Sequence, residues 1–155
     1  MLHMFISSKI AVKSIHHGKS LIAKEIKSKD EVLIRFKGKI INHPTKFSLQ
    51  IDEGKHLDDS GEIDNYLNHS CNPNSYIDFS DISLKAIKKI KIGEEITFNY
   101  LTTEWDMANK FICQCGNKNC FHNIKGFKYL SLLQKRNLKH ILSPFLQKKL
   151  TEEIK

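Results

Sequence analysis

The chain has 155 residues, enough for one domain with a buried core. Its 40% hydrophobic and 27% charged residues are typical of a soluble globular protein and exclude wholesale disorder. The formal net charge of +8 suits nucleic acid, an acidic surface or a phosphorylated partner, but lysines mixed with many Ile and Asn along the chain also fit biased residue usage. No apolar run reaches membrane-spanning length and the N-terminus lacks signal-peptide features, so we expect an intracellular protein with no membrane partner.

The first two thirds of the chain predict short β-strands. Each predicted strand combines β-branched or aromatic residues with partial alternation of apolar and polar side chains, and Gly, Pro, Asn or Asp separate the strands. No helical period lasts three turns before residue 120, which leaves no room for crossover helices and excludes a doubly wound sheet. The predicted strands are 9–14, 20–26, 31–41, 47–52, 75–79, 82–87 and 95–100.

The stretch "NYLNHSCNPNSYIDF", residues 65–79, is the densest group of polar, chemically active side chains in this part of the chain. It places Asn68, His69, Cys71 and Asn74 within seven positions around one proline, in a pattern that fits neither a helix nor a regular strand before Ser75. A lone histidine here would most simply be a hydrogen-bonded structural residue. The neighbouring residues must therefore carry any functional interpretation.

Four cysteines predict a zinc site. Three lie in "CQCGNKNC", residues 113–120, and the fourth is Cys71. Four thiolates complete one tetrahedral site with no position open to substrate, so the metal would be structural and would tie residues 113–120 to an earlier segment. Two disulfides or a free buried Cys71 are the alternatives, but Cys113 and Cys115 are only two positions apart and no export signal is present.

The C-terminal segment predicts two helices. Leu130, Leu133, Leu138, Ile141 and Leu142 fall near one helical face, and a second apolar repeat follows at Leu146, Leu150 and Ile154. Ser143 and Pro144 supply an N-cap and a first helical residue for the second helix. We expect this apolar stripe to pack on its own domain.

Three motifs of the sequence together resemble those of the SET-domain protein lysine methyltransferases with a zinc-binding post-SET segment. They are "NHSCNPN" (68–74), "GEEITFNY" (93–100) and "CQCGNKNC" (113–120). The resemblance covers residues 14–126 and implies a mostly β fold of small sheets, a β-clip or SET-type fold, in which the first two motifs thread through each other as a pseudoknot. It also implies a SET core over 1–102, a post-SET zinc segment over 103–126 and a helical tail over 127–155, in one compact unit.

The resemblance implies S-adenosylmethionine as cofactor, S-adenosylhomocysteine as product and one structural Zn²⁺ on Cys71, Cys113, Cys115 and Cys120. Asn68 and His69 match cofactor-binding positions, and Gly18-Lys19-Ser20 matches a Gly-x-Gly turn that closes on the methionine part of the cofactor. Serine at the third position is harmless if its φ is negative and strained if it is positive.

The resemblance assigns catalysis to Tyr100, whose hydroxyl orients the lysine amine and the methyl group and contacts the cofactor. Phe98 stands where the family has Phe or Tyr, which favours a di- or trimethylating enzyme, although Phe98 could also be only a core residue. Phe36 replaces a common channel tyrosine, and Trp105 is either a wall of the lysine channel or a packing residue. His122 stands where glycine is common in the family.

These observations predict a protein-lysine N-methyltransferase that acts on a histone or another protein. The alternative is a catalytically weak SET-like module that binds protein or nucleic acid through a basic surface. Nucleic acid is an optional partner in the first case, and the sequence does not define the oligomeric state. We expect a reducing compartment: the cytoplasm, or the nucleus, including that of a host, if the substrate is a histone.

Overall fold

The computed structural model describes residues 5–6, 9–16, 18–58 and 63–155. In this part of the chain, short strands dominate the first 126 residues and two α-helices follow, which confirms the predicted mostly β fold with C-terminal helices. None of the helices in the described ranges is long and apolar enough to cross a membrane. The strands are β1 Phe5–Ile6, β2 Ile10–Ile15, β3 Gly18–Ala23, β4 Val32–Arg35, β5 Lys39–Ile41, β6 Leu49–Asp52, β7 Lys55–Asp58, β8 Asn68–His69, β9 Ser75–Asp78, β10 Ser83–Ala86, β11 Thr97–Phe98, β12 Phe111–Ile112 and β13 Asn123–Ile124.

The chain divides into two compact units, and the first consists of residues 1–37 and 61–99. Its largest sheet is antiparallel with strand order β1-β4-β10-β9, and β2 and β3 form a separate hairpin. A short parallel pair joins β8 to β11. The core of this unit contains Leu21, Leu33, Ile34 and Leu84, none of which is exposed to solvent.

The second unit consists of residues 38–60 and 100–155. It contains an antiparallel sheet of order β5-β7-β6, a β12–β13 ribbon and the helices α1 (Leu132–Asn137) and α2 (Pro144–Ile154). Helix α2 contacts β6, and Leu146 and Leu150 are buried on it. The helical tail therefore supplies a core for a three-stranded sheet that is too small to stabilise itself.

The N-terminus of α2 forms as predicted. The Ser143 hydroxyl accepts a hydrogen bond from the Leu146 backbone N–H, and Pro144 occupies the first turn. The Ser143 N–H itself donates to Thr102 O at 2.9 Å, which anchors the start of the helix. The break between the two helices thus has the mechanism that the sequence indicated.

The apolar face predicted for the first helix is wrong in part. Leu133 is 70% exposed, while Lys135 is 4% exposed and binds Glu153 at 2.6 Å. Helix α1 has six residues and a 3-10 turn, Lys139–Ile141, follows it. Leu130 lies before the helix, whose N-cap is Ser131, and the 3-10 turn breaks the helical period after it, so Leu130, Leu133 and Leu142 do not share one helical face.

The strand predictions miss the pairs with weak local signals. The predicted strand 31–41 is two strands, β4 and β5, separated at residues 36–38. The short or polar strands β1, β7, β8, β12 and β13 were not predicted, since two to four residues give no usable alternation.

Candidate active site and cysteine cluster

Two of the three motifs of the resemblance, "NHSCNPN" and "GEEITFNY", are hydrogen-bonded to each other. In the parallel pair β8–β11, Asn68 lies opposite Thr97 and His69 lies opposite Phe98. The Ser70 N–H continues the ladder and donates to Phe98 O at 3.0 Å. A parallel contact between segments some thirty residues apart thus joins Asn68 and His69 to Thr97 and Phe98 in the first unit.

The Asn74 side chain replaces strand hydrogen bonds beyond this pair. Its Oδ1 accepts from the Thr97 backbone N–H at 3.0 Å, and its Nδ2 donates to Glu95 O at 2.7 Å. The neighbouring Ser75 hydroxyl donates to Thr97 O at 2.6 Å. Asn74 is 5% exposed, so the amide holds the "GEEITFNY" backbone from the interior. The sequence placed Asn74 at the end of the "NHSCNPN" motif but did not reveal this role.

Asn68 links the pair to the proposed cofactor turn. Its Nδ2 donates to Lys19 O and to Glu95 Oε1, both at 3.0 Å. Gly18 has φ +125°, and a Cβ placed there would have no heavy atom within 4 Å. Ser20 is buried and is not among the described residues with positive φ, so the serine that departs from Gly-x-Gly carries no backbone strain.

Tyr66 lies near this turn, and His69 follows Asn68 in β8. The Lys19 ammonium lies 5.4 Å from the ring centroid of Tyr66. Burial lowers the pKa of His69 to about 4, so its imidazole is neutral, and its Nε2 lies 3.2 Å from Cys71 Sγ. A neutral ring can accept or donate hydrogen bonds without a charge to desolvate.

The aromatic residues named for the lysine channel have distinct surroundings. Phe98 is buried and Phe36 is half-buried in the first unit, where the Phe36 N–H donates to Ile82 O at 3.0 Å. In the second unit, the half-buried Tyr100 packs edge-on against Phe111 with ring centroids 6.1 Å apart.

Trp105 packs against the start of the helical tail. Its ring centroid lies 6.4 Å from those of both Phe127 and Phe145, and the Lys149 ammonium lies 5.6 Å from it. Its backbone N–H donates to Gln50 Oε1 at 2.8 Å. This residue is therefore integrated into the second unit by both its ring and its backbone.

The three cysteine sulfurs of the second unit come together. The Sγ atoms of Cys113, Cys115 and Cys120 all lie within 4.8 Å of one another, and neither these cysteines nor Cys71 of the first unit is in a disulfide. A tetrahedral zinc site with sulfur ligands at about 2.3 Å places its sulfurs about 3.8 Å apart. Both the ligand type and the spacing fit one Zn²⁺.

The loop around these cysteines is shaped by two left-handed residues. Gly116 has φ +68° and His122 has φ +58°. The His122 N–H donates to Cys120 Sγ at 3.4 Å, and its carbonyl accepts from the Cys113 N–H at 2.7 Å. A backbone N–H directed at sulfur is a favourable partner for a thiolate ligand. The positive φ of His122 also explains why glycine suits this position.

A buried carboxylate that sequence reasoning missed lies in the second unit. Glu104 is 8% exposed, and its Oε1 accepts from the Gln50 N–H at 2.9 Å and the Thr103 hydroxyl at 3.1 Å. Burial, only partly offset by these two hydrogen bonds, raises its pKa to about 7. Sequence gives no signal for this, because an isolated glutamate is ordinarily exposed.

These features define a SET-type fold, and comparison with known families agrees. The model of the SET domain matches residues 10–101, more than half of the chain. The chain therefore belongs to the SET domain family.

The chain is also similar to curated proteins from fungi and animals. It is 41% identical over 63 residues to the methyltransferase flvH of Aspergillus flavus, covering 39% of this chain and 35% of that protein. It is 32% identical over 120 residues to an H3 lysine-36 specific histone-lysine N-methyltransferase of Coccidioides immitis, covering 63% and 12%. With histone-lysine N-methyltransferase 2B of Homo sapiens it shares 29% over 143 residues, covering 76% and 5%. The chain thus spans 35% or less of the length of these relatives.

Solved structures share the fold at low sequence identity. KRYPTONITE, in complex with mCHG DNA and SAH, matches with a TM-score of 0.63 and 19% identity over 77% of this chain and 29% of that one. The methyltransferase domain of human histone-lysine N-methyltransferase SETMAR matches with a TM-score of 0.58 and 19% identity over 76% and 58%.

Proposed function

We propose that this chain is a protein-lysine N-methyltransferase that transfers a methyl group from S-adenosylmethionine to a lysine side chain. The observation that carries the proposal is the hydrogen-bonded junction of "NHSCNPN", "GEEITFNY" and the turn at residues 18–20. Asn68 pairs with Thr97 through the backbone and donates to Lys19 O through its side chain. Membership of the SET domain family and similarity to proteins named as histone-lysine N-methyltransferases support it.

The residues around Gly18 fit the proposed cofactor. The open space beside Gly18 lets a ligand approach the backbone closely, and the Asn68 bond to Lys19 O keeps the turn in place. When bound, S-adenosylmethionine supplies a methyl group on a positively charged sulfur. We assign the backbone of 18–20 to its methionine part and the neutral His69 to its adenine.

We assign the orientation of the lysine amine to Tyr100. The amine must be neutral to attack, yet a free lysine with a pKa of about 10.4 is protonated at neutral pH. An apolar channel of Phe36, Phe98 and Trp105 would disfavour the ammonium, so the proton leaves to solvent before transfer. The Tyr100 hydroxyl would then hold the amine in line with the methyl group, which is a positioning contribution to the rate.

We further propose that the product is di- or trimethyl-lysine. Phenylalanine at 98 omits a hydroxyl that would hold a water molecule and crowd a methylated amine. Phe98→Tyr should shift products towards monomethyl-lysine, and mass spectrometry of peptides after exhaustive turnover would measure this. Monomethyl-lysine as the only wild-type product would contradict the assignment.

We propose one structural zinc ion on the four cysteines. The sulfur separations and the N–H bond to Cys120 Sγ support it, and four sulfur ligands leave no coordination position for a substrate. Since zinc requires reduced cysteines, we also propose a reducing compartment, and the nucleus if the substrate is a histone.

The test is transfer of isotopically labelled methyl from S-adenosylmethionine to histones, ribosomal proteins and whole lysate. Tyr100→Phe should lower the rate at least about a hundredfold, as expected when one preorganised polar group is lost from a reacting centre. Tyr76→Phe removes the same atom from strand β9 and is the matched control. The labelled residue is then identified by mass spectrometry.

Four outcomes separate the alternatives. Label on lysine that is lost in Tyr100→Phe but kept in Tyr76→Phe supports the enzyme. Equal rates in both variants would refute the role of Tyr100. Cofactor binding without transfer to any protein in the panel would favour the catalytically weak binding module, and absence of cofactor binding would refute the proposed cofactor site.

A further inference from the structure

The charge of this protein is concentrated in one stretch of the chain. Residues 107–151 contain nine lysines and arginines and no aspartate or glutamate. The rest of the chain has sixteen basic and seventeen acidic residues and is nearly neutral. The net charge of +8 is therefore a property of this stretch, which we call the basic segment, rather than of biased lysine usage over the whole chain.

Four of the nine cations form ion pairs with three nearby acids. Lys110 and Lys128 bind Asp106 at 3.1 and 2.6 Å, Lys135 binds Glu153 at 2.6 Å, and Lys149 binds Glu53 at 2.8 Å. The other five are exposed and form no ion pair with any residue that the structure describes. These five free cations are Lys118, Lys125, Arg136, Lys139 and Lys148.

The β12–β13 ribbon and Tyr129 bring some basic residues of this segment close together. Phe111 lies opposite Ile124 in the β12–β13 ribbon, so Lys110 and Lys125, the adjacent residues, flank the same end of the ribbon. At this end the ammonium groups of Lys110 and Lys128 each lie 5.0 Å from the ring centroid of Tyr129. Lys110 and Lys128 thus both lie beside Tyr129, and Asp106 binds both of them.

The exposed amide side chains of this segment suit contacts to a phosphate backbone. Gln114, Asn119, Asn123 and Asn137 are exposed amides, which donate to phosphate oxygens in protein–nucleic acid complexes. The Tyr129 ring carries cations, and its hydroxyl donates to Asp106 at 3.0 Å, so it is not arranged as a platform for unstacked bases. These features match contacts to a backbone without base readout.

We propose that the basic segment binds double-helical nucleic acid through its phosphate backbone, without sequence preference. Five free cations would neutralise about five phosphates, so log Kobs should fall with log salt with a slope of about −4 to −5. None of the five free cations is a residue assigned to cofactor, lysine or zinc. Its test is therefore independent of methyl transfer.

The experiment measures fluorescence anisotropy of a labelled 20-base-pair DNA duplex of arbitrary sequence with the full chain, from 50 to 200 mM salt. The test variant carries glutamine at the five free cations. The matched control carries glutamine at five exposed lysines outside the basic segment: Lys24, Lys29, Lys88, Lys89 and Lys91. The two variants have the same net charge, and zinc content and thermal unfolding show that each is folded.

We expect the test variant to bind at least about a hundredfold more weakly than wild type at 0.1 M salt, and the control to bind within a few fold of it. Equal losses in both variants would mean that total charge, not this surface, attracts DNA and would overturn the proposal. Tighter binding to single strands of the same sequence, or to vesicles containing phosphatidylserine, would also overturn it.

The wild-type salt dependence is a second measurement that needs no folded variant. A slope shallower than about −2 would contradict contact with five phosphates.

Discussion

Replacing Glu104 by glutamine should remove a pH-dependent cost from the stability of this protein. The Glu104 carboxylate is buried, and two neutral donors, the Gln50 N–H and the Thr103 hydroxyl, bind it. It forms no ion pair within the part of the chain that the structure describes. Its charge is therefore poorly compensated, and burial raises its pKa from 4.5 to about 7.

The sign follows from proton uptake by the two states. Between pH 4.5 and about 7 the folded protein keeps a proton on Glu104 that the unfolded chain has lost, so the free energy of unfolding falls as pH rises. The stabilisation is fully present below pH 4.5 and lost above about pH 7. At about 1.4 kcal/mol for each pH unit by which a pKa moves, the total loss is about 3 kcal/mol.

The assay is urea unfolding of zinc-loaded wild type and Glu104→Gln at constant zinc from pH 5 to 8. Glutamine keeps an oxygen that can accept from Gln50 and Thr103 but cannot ionise. Protonation of the cysteines affects both proteins alike, so the difference in unfolding free energy between them isolates Glu104. We expect this difference to move by about 2 to 3 kcal/mol in favour of the variant as pH rises.

The matched control is Glu152→Gln, which removes an exposed carboxylate from helix α2. Its difference from wild type should stay nearly constant over the same range. A Glu104→Gln difference that is also independent of pH would refute the reasoning, because the carboxylate would then be ionised at little cost in the folded protein.

Three further changes test the backbone and the cysteine cluster. Gly126→Ala should lower the free energy of unfolding by about 3 kcal/mol or more, because a Cβ would lie 2.4 Å from Trp105 O; Gly54→Ala, where no heavy atom lies within 4 Å, should cost less in the same denaturation assay. His122→Gly should raise the free energy of unfolding by up to about 1 kcal/mol, since His122 has φ +58° and glycine adopts this conformation without strain. A decrease of more than about 1 kcal/mol in the free energy of unfolding would show that the histidine side chain matters instead. Cys115→Ser or treatment with a chelator should remove about one zinc per chain, measured by mass spectrometry of the metal, and lower the melting temperature; an unchanged metal content would contradict the four-cysteine site.

The candidate site shows how far local sequence can go. The motifs "NHSCNPN" and "GEEITFNY" were recognisable as strings of residue types, and their resemblance to the SET-domain family implied that they would meet. The parallel pair Asn68–Thr97 and the buried amide of Asn74 were not readable from either string alone. Hydrogen bonds between segments that are distant in the chain leave no local pattern, because each partner needs only a backbone N–H or C=O.

The backbone φ angles of Ser20 and His122 were likewise decided by tertiary structure rather than by residue type. Serine at position 20 was compatible with either sign of φ, and only the β2–β3 hairpin, which pairs Ser20 with Lys13, makes it an ordinary strand residue. At His122 the fold instead imposes a positive φ on a residue that does not favour it. Side-chain type alone biases φ weakly, so the conformation is decided by the turn or strand that encloses the residue.

The sequence by itself determined the class of fold, the four cysteines, the capped start of α2 at Ser143 and the concentration of positive charge after Asp106. These depend on composition, short-range periodicity and residue type. Tertiary structure alone decided that Leu133 is exposed while Lys135 is buried, and that Glu104 is enclosed with a raised pKa. Burial depends on which segments pack together, and a side chain's cost or benefit is set by that environment rather than by its own chemistry.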